Sequence, residues 1–321
     1  DPLSSIIRTI NNSRTMTKEN GTLFNTSIQL IDSYDAIWNP VLVTIYTVVF
    51  FGGICGVIRM LFLLMKMNAL SVTTTVTINL VVIHSLFLVT VPFRLYYYIK
   101  DEWIFKPVFC KLVSIMIHLH MYLAFLFYMI VLLIRCLIFF QWKDKIEFYR
   151  NLHAVATSAA VWFLALVTVV PVMYVWYGQT GEYNQNKCFD FHKELKEDAV
   201  KAVNYALIGV MITLTCALVG LQVFMLVKLV KKLSGSVWSH QEFRAQLKSV
   251  VFVCVIVFCF LPHHFFRIYY VQHVDDKRYP RLAVYNEVCL SITAISCLDL
   301  FFLVISGREI RMPNLMALSC C

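Results

Sequence analysis

The chain is short of charge. Lysine, arginine, aspartate and glutamate make up only 15% of its 321 residues, while 60% are hydrophobic. A soluble globular chain is nearer half apolar and a quarter charged. So few charges cannot cover one very large dry core, and the excess apolar residues must face something other than water. Paired cysteine motifs are also missing. The eleven cysteines are irregularly spaced with no Cys-x-x-Cys, which argues against a zinc site or a disulfide scaffold. No metal or cofactor is therefore expected. No nucleophile–base pair is visible either, so an enzyme is not expected. Repeats, low-complexity tracts and a second domain are absent, and residues 1–37 are too polar to contain a cleavable signal sequence. The net charge of +9 does not point to nucleic acid, because the basic residues sit between apolar runs and form no patch.

Long apolar runs are what the chain has instead. Seven stretches, at roughly 40–65, 74–99, 109–140, 153–176, 201–230, 248–272 and 282–305, reach the 20 or so mostly apolar residues that a membrane helix needs. In lipid every backbone N–H and C=O must be satisfied within the segment or in a closed barrel. The alternation of a barrel strand is absent, so all seven are predicted helices. The expected fold class is an all-α, seven-transmembrane bundle over 38–305, between a polar tail at 1–37 and a short tail at 306–321.

An odd number of spans puts the termini on opposite sides. Asn11, Asn20 and Asn25 each open an Asn-x-Ser/Thr sequon, so the first tail is expected to be extracellular and glycosylated. Lysine and arginine are about as frequent on both sides, so the sequons carry the orientation. Cys110 opens the third helix and Arg135 lies 25 residues on, about 37 Å at 1.5 Å per residue. That span places Cys110 at the outer edge of the membrane and Arg135 at the inner edge. Cys188 is the lone cysteine of the outer loop between helices four and five. A Cys110–Cys188 disulfide would face the oxidising side; two free cysteines are the alternative.

Trp103 before Cys110, Arg135 ending helix three, Trp162 in helix four and Cys259-Phe260-Leu261-Pro262 in helix six together resemble the rhodopsin-like G-protein-coupled receptors. The likeness runs from helix one to helix seven. It implies a multi-pass plasma-membrane receptor that couples an extracellular ligand, of a kind the sequence does not name, to a heterotrimeric G protein.

The departures from the family pattern are informative. Val57 stands where the family usually has Asn, and His84 where it has a sodium-binding Asp. Ile134-Arg135-Cys136 replaces Asp-Arg-Tyr, Phe260 replaces the usual Trp, and helix seven reads Asp299-Leu300-Phe301-Phe302-Leu303 for Asn-Pro-x-x-Tyr. A lone carboxylate among apolar residues in the membrane costs several kcal/mol, so Asp299 needs a partner. The resemblance puts His84 at the same depth, and the two are expected to pair in place of the sodium site; two separately satisfied groups are the alternative. With Phe260 and Pro262 they make up the expected core switch. Ile134 removes the carboxylate that would hold Arg135, and Leu300 in place of Pro removes a kink. These changes push activity in opposite directions. A non-signalling or constitutively active partner protein on the same fold is the main alternative to a ligand-driven receptor. A transporter would want internal repeats or broken helices.

The resemblance places the ligand site in the outer half of the bundle. Candidates there are Arg94, His118, Tyr122, His263, His264, Arg267 and Tyr285, with Glu287 the main nearby acid. His118 and Tyr122 share a helix face, as do His264 and Arg267. The balance suits an anionic or acidic lipid-like ligand. No acid appears on the outer half of helix three to pair an amine. At the inner ends of helices five and six, Lys228, Lys231, Lys232, Arg244 and Lys248 could meet a G protein and anionic membrane lipids. Cys320 and Cys321 are candidate palmitoylation sites.

Overall fold

A computed structural model describes residues 38–66, 72–140, 150–171, 187–189, 195, 197–232, 241–274 and 282–301. The three sequons, Cys320 and Cys321 lie outside these residues, as do the side chains of Arg244 and Lys248.

Helices account for nearly all of this. They are α1 (Trp38–Met65), α2 (Val72–Lys100), α3 (Pro107–Phe139), α4 (Arg150–Pro171), α5 (Asp198–Lys232), α6 (Gln241–Val255), α7 (Leu261–His273) and α8 (Leu282–Ala294). A π-helical turn, Ile256–Phe260, joins α6 to α7 into the sixth span, and a 3-10 turn, Ile295–Leu298, extends α8 into the seventh. Six spans are long and apolar enough to cross a membrane, and α4 carries a shorter apolar stretch, Ala156–Val167. The result is a seven-helix bundle, as the apolar runs predict.

Helix α3 runs through the centre, with Val113, Ile117, Met121, Leu123, Ala124, Phe127, Tyr128 and Leu132 all fully buried. Most of the apolar surface of α5 points the other way, through Val203, Leu207, Val210, Val223, Phe224 and Val227. Such an outward apolar face is stable only against lipid, and it accounts for the composition. Small residues bring α1 onto the seventh span. A Cβ on Gly56 would sit 3.1 Å from the backbone nitrogen of Phe301, so a larger residue would push the two helices apart by a few tenths of an ångström, and glycine favours the close approach. Asn79 fastens α2 to α4: its side chain donates to Ser158 Oγ (3.0 Å) and accepts from Trp162 Nε1 (2.8 Å).

Two irregular turns depart from straight helices. Pro262, in the first turn of α7, has no N–H to donate and its ring crowds the carbonyl four residues back. The widened π turn just before it makes room. In the seventh span, loss of proline at Leu300 predicts an unkinked helix, but the structure overwinds it at Ile295–Leu298. The cause lies upstream. Ser291, Thr293 and Ser296 hydroxyls each donate to the carbonyl three residues back, at 2.6–2.8 Å. Side-chain hydrogen bonds of this kind compete with the α-helical ladder and tighten it.

One end of the bundle is closed by the Cys110–Cys188 disulfide (Cα–Cα 5.8 Å). Trp103, 2% exposed, packs there among Tyr97, Phe105, Phe109 and Phe189. Phe189 has φ 67°, a left-handed conformation that costs a bulky residue about 1–3 kcal/mol. Held there beside Cys188, its ring covers the guanidinium of Arg94 at 4.2 Å, a desolvated cation–π contact that offsets the strain. Cys110→Ala or Cys188→Ala is expected to lower stability by about 2–5 kcal/mol and to reduce surface expression. Intact mass measurement of folded protein with both thiols free would remove the bridge from this account.

Candidate functional site

Halfway along the bundle, α2, α3 and the seventh span meet around a buried polar cluster. His84 and Asp299 are 0% and 1% exposed, and His84 Nε2 lies 3.2 Å from Asp299 Oδ1. The contact is of ion-pair length, but it misses hydrogen-bond alignment, which leaves both atoms without a hydrogen bond in the strict sense. The other carboxylate oxygen, Oδ2, accepts a well-formed bond from the Tyr128 hydroxyl at 2.8 Å. On its far side the His84 ring meets two more groups. His84 Nδ1 is 2.9 Å from His120 Nε2, and Cys297 Sγ lies 3.3 Å from His120 Nε2 and 3.7 Å from His84 Nδ1. Phe87 stacks on His120 at 4.5 Å.

The expected pair is thus part of a five-residue cluster. Phe260 packs on Tyr128 and Phe125 just beside it, below Pro262. Sequence reasoning missed His120, Tyr128 and Cys297. The eight-residue step from His120 to Tyr128 shares one helix face and could have linked those two. Cys297 offered no signal, because the 3-10 turn determines where it points. The donors come from three helices, so no local spacing could announce them.

Nearer the disulfide, two arginines are handled differently. Arg94, 1% exposed, lies 3.6 Å from Glu287 Oε2. It also donates to the Tyr46 hydroxyl and the Val113 carbonyl, each at 3.3 Å, while Tyr98 donates to Glu287 at 3.1 Å. Arg94, expected at the ligand site, thus has an acidic partner within the protein. Arg267 on α7 donates to amide oxygens, Asn204 Oδ1 at 3.2 Å and Asn286 Oδ1 at 3.1 Å, and lies over the Tyr270 ring at 5.2 Å. His118, His263 and His264 lie within its electrostatic reach. His263 and His264 are each 3% exposed, and among the described residues His263 Nδ1 and both ring nitrogens of His264 have no hydrogen-bond partner. His118 turns Nδ1 to its own helix, at 2.9 Å from the Ser114 carbonyl. Tyr122 is half-buried, and Tyr285 packs edge-on against Trp38 at 5.3 Å.

Residues 53–299 match the family profile of the 7 transmembrane receptor (rhodopsin family). The chain belongs to that family. This rhodopsin-family receptor is 53% identical over 279 residues to the human Probable G-protein coupled receptor 141, covering 86% of this chain and 92% of that protein. It is 25% identical over 232 residues to the mouse 2-oxoglutarate receptor 1 (71% and 68% covered). It is 23% identical over 258 residues to the human N-arachidonyl glycine receptor (76% and 75% covered). It is a multi-pass protein of the plasma membrane.

At the end of this rhodopsin-family receptor opposite the disulfide, Arg135 is half-buried, and among the described residues no carboxylate reaches it. Its neighbour Cys136 accepts instead from Gln222 Nε2 at 3.8 Å, which ties α3 to α5. Lys228 lies 5.7–6.0 Å from the Phe139, Phe140 and Phe224 rings, and Lys231 and Lys232 are exposed at the end of α5.

Proposed function

We propose that the chain transduces an extracellular acidic ligand, small or lipid-like, to a heterotrimeric G protein. The observation that carries this reading is the buried basic group around Arg267. Two neutral amides orient the guanidinium, and three ring nitrogens of His263 and His264 lack hydrogen-bond partners among the described residues. Buried polar groups are ordinarily satisfied, and a carboxylate or phosphate would satisfy several of these at once with charge-assisted bonds. The names of two relatives agree with this chemistry: 2-oxoglutarate is a dicarboxylate, and N-arachidonyl glycine carries a carboxylate on a long acyl chain. In this reading the disulfide end is extracellular, as the sequons at Asn11, Asn20 and Asn25 favour. Arg135 and the Lys228, Lys231 and Lys232 cluster then face the G protein and anionic lipid, together with Arg244 and Lys248.

The test is G-protein nucleotide exchange in membranes holding the full chain, challenged with a panel of dicarboxylates, nucleotides, N-acyl amino acids and amines. An acidic compound is expected to activate. Arg267→Ala is expected to lower its potency at least about tenfold, the loss of about 1.4 kcal/mol, at unchanged surface expression. Activation by amines alone, or unchanged potency in Arg267→Ala, would sink the reading.

A further inference from the structure

We propose that His84, His120 and Cys297 form a binding site for a divalent metal ion of the zinc class, with Asp299 orienting the first of these ligands. One ligand atom from each residue lies within 4.8 Å of the others. Zinc is held about 2.0–2.1 Å from imidazole nitrogen and 2.3 Å from thiolate sulfur. A tetrahedral arrangement therefore separates two nitrogens by about 3.3 Å, and a nitrogen from a sulfur by about 3.6 Å. The observed separations are 2.9 Å between the nitrogens and 3.3 and 3.7 Å from sulfur to each. Shifts of a few tenths of an ångström would bring the three ligands to zinc distances, with the fourth position left for a water molecule.

Three further features favour a metal. Imidazole with thiolate is a donor set suited to zinc or to copper(I), and unsuited to sodium, magnesium or calcium, which take oxygen. The second is the partner on the far side of the ligand. Metal-bound histidines commonly offer their other ring nitrogen to a carboxylate, which fixes the tautomer and strengthens the ligand. Asp299 Oδ1 stands 3.2 Å from His84 Nε2, close enough that a small rotation would let it take the ring proton's hydrogen bond and leave the Nδ1 lone pair for a metal. Tyr128 holds the other carboxylate oxygen, and Phe87 sets the plane of His120. The third is charge. His84, His120, Cys297 and Asp299 are all essentially unexposed, where a bare charge is expensive. A doubly positive ion, one thiolate and one carboxylate sum to zero, and this balance selects zinc over copper(I). On binding, the Cys297 thiol releases its proton and the sulfur lone pair goes to the metal, with no change of oxidation state.

The inference is independent of the ligand proposed above, and its test needs no signalling. Full-length receptor, purified without chelator and reconstituted in nanodiscs, is assayed for bound metals by mass spectrometry. It is then stripped, reloaded with cobalt(II) and examined by absorption. About one zinc per receptor is expected, together with a thiolate-to-cobalt charge-transfer band. Cys297→Ser should abolish the band, and Asp299→Asn should weaken metal affinity about 10–100-fold. Cys289→Ser, away from the cluster, should retain both. If the Cys297 variant fails to fold, the wild-type cobalt spectrum still decides. Metal far below stoichiometry with no thiolate band would reduce the cluster to a hydrogen-bonded network and overturn the site, as would a band that survives Cys297→Ser. Copper in place of zinc would overturn the assignment to zinc.

Discussion

Replacing Asp299 with alanine is expected to destabilise the receptor by about 3–5 kcal/mol, the loss that follows when one member of a buried polar pair is removed. The Tyr128 hydroxyl would lose its acceptor, and the His84 ring would lose the group 3.2 Å from its Nε2. Neither can turn to water from a site this dry. His84→Ala is expected to be costly for the complementary reason, since Asp299 would keep Tyr128 alone. The double variant removes the orphaned groups as well as the contact, so its loss should fall short of the two single losses added together. Tyr128→Phe should cost less, about 1.5–3 kcal/mol for a hydrogen bond to a charged group. The measurement is thermal unfolding of the four proteins with a chelator present, so that bound metal adds nothing to any corner of the cycle. Strict additivity would show that the two side chains are satisfied separately.

Arg94→Ala should produce a loss of similar size, about 3–5 kcal/mol, by stranding Glu287. The informative comparison is the joint replacement Arg94→Met with Glu287→Leu. Two apolar residues of similar volume should be close to neutral, because burying the two charges costs nearly as much as their attraction returns. A receptor in which Arg94→Ala alone leaves stability unchanged and abolishes response to an acidic agonist would place Arg94 in the ligand site. The two outcomes separate a residue that shapes the pocket wall from one that touches what enters it.

These two clusters also show how far residues can be read without coordinates. The spans are legible because hydrocarbon imposes a minimum apolar length on any helix that crosses it. Cys110 and Cys188 are legible because one marks a helix end and the other is alone in its loop. That His84 faces Asp299 follows from the family resemblance combined with the cost of an unpartnered carboxylate. The partners of Arg94 were harder. Glu287 lies 193 positions away in sequence, and whether it points at Arg94 or past it depends on how α2 and α8 are rotated against each other. His118 attracted attention over His120 because it shares a face with Tyr122, yet its nitrogen turns to its own backbone while His120 enters the core. Cys297 is as ordinary in an apolar helix as any small residue. Its chemistry shows only when two imidazoles from other helices are placed against it.

The wide turn at Ile256–Phe260 acts as a vernier on the sixth span. An unbroken α-helix advances about 100° per residue, and a π turn takes up about one residue more than an α turn does. The exposed residues of this span include Cys254, Phe258, Pro262, Phe265 and Tyr269. A labelling scan along this span would trace two periodic patterns out of step by about one residue, with the slip falling beside Phe260. A helical wheel drawn upward from Phe252 would turn the wrong side chains into the bundle. The basic face formed by His263, His264 and Arg267 exists as an inward surface because the helix loses count just beneath it.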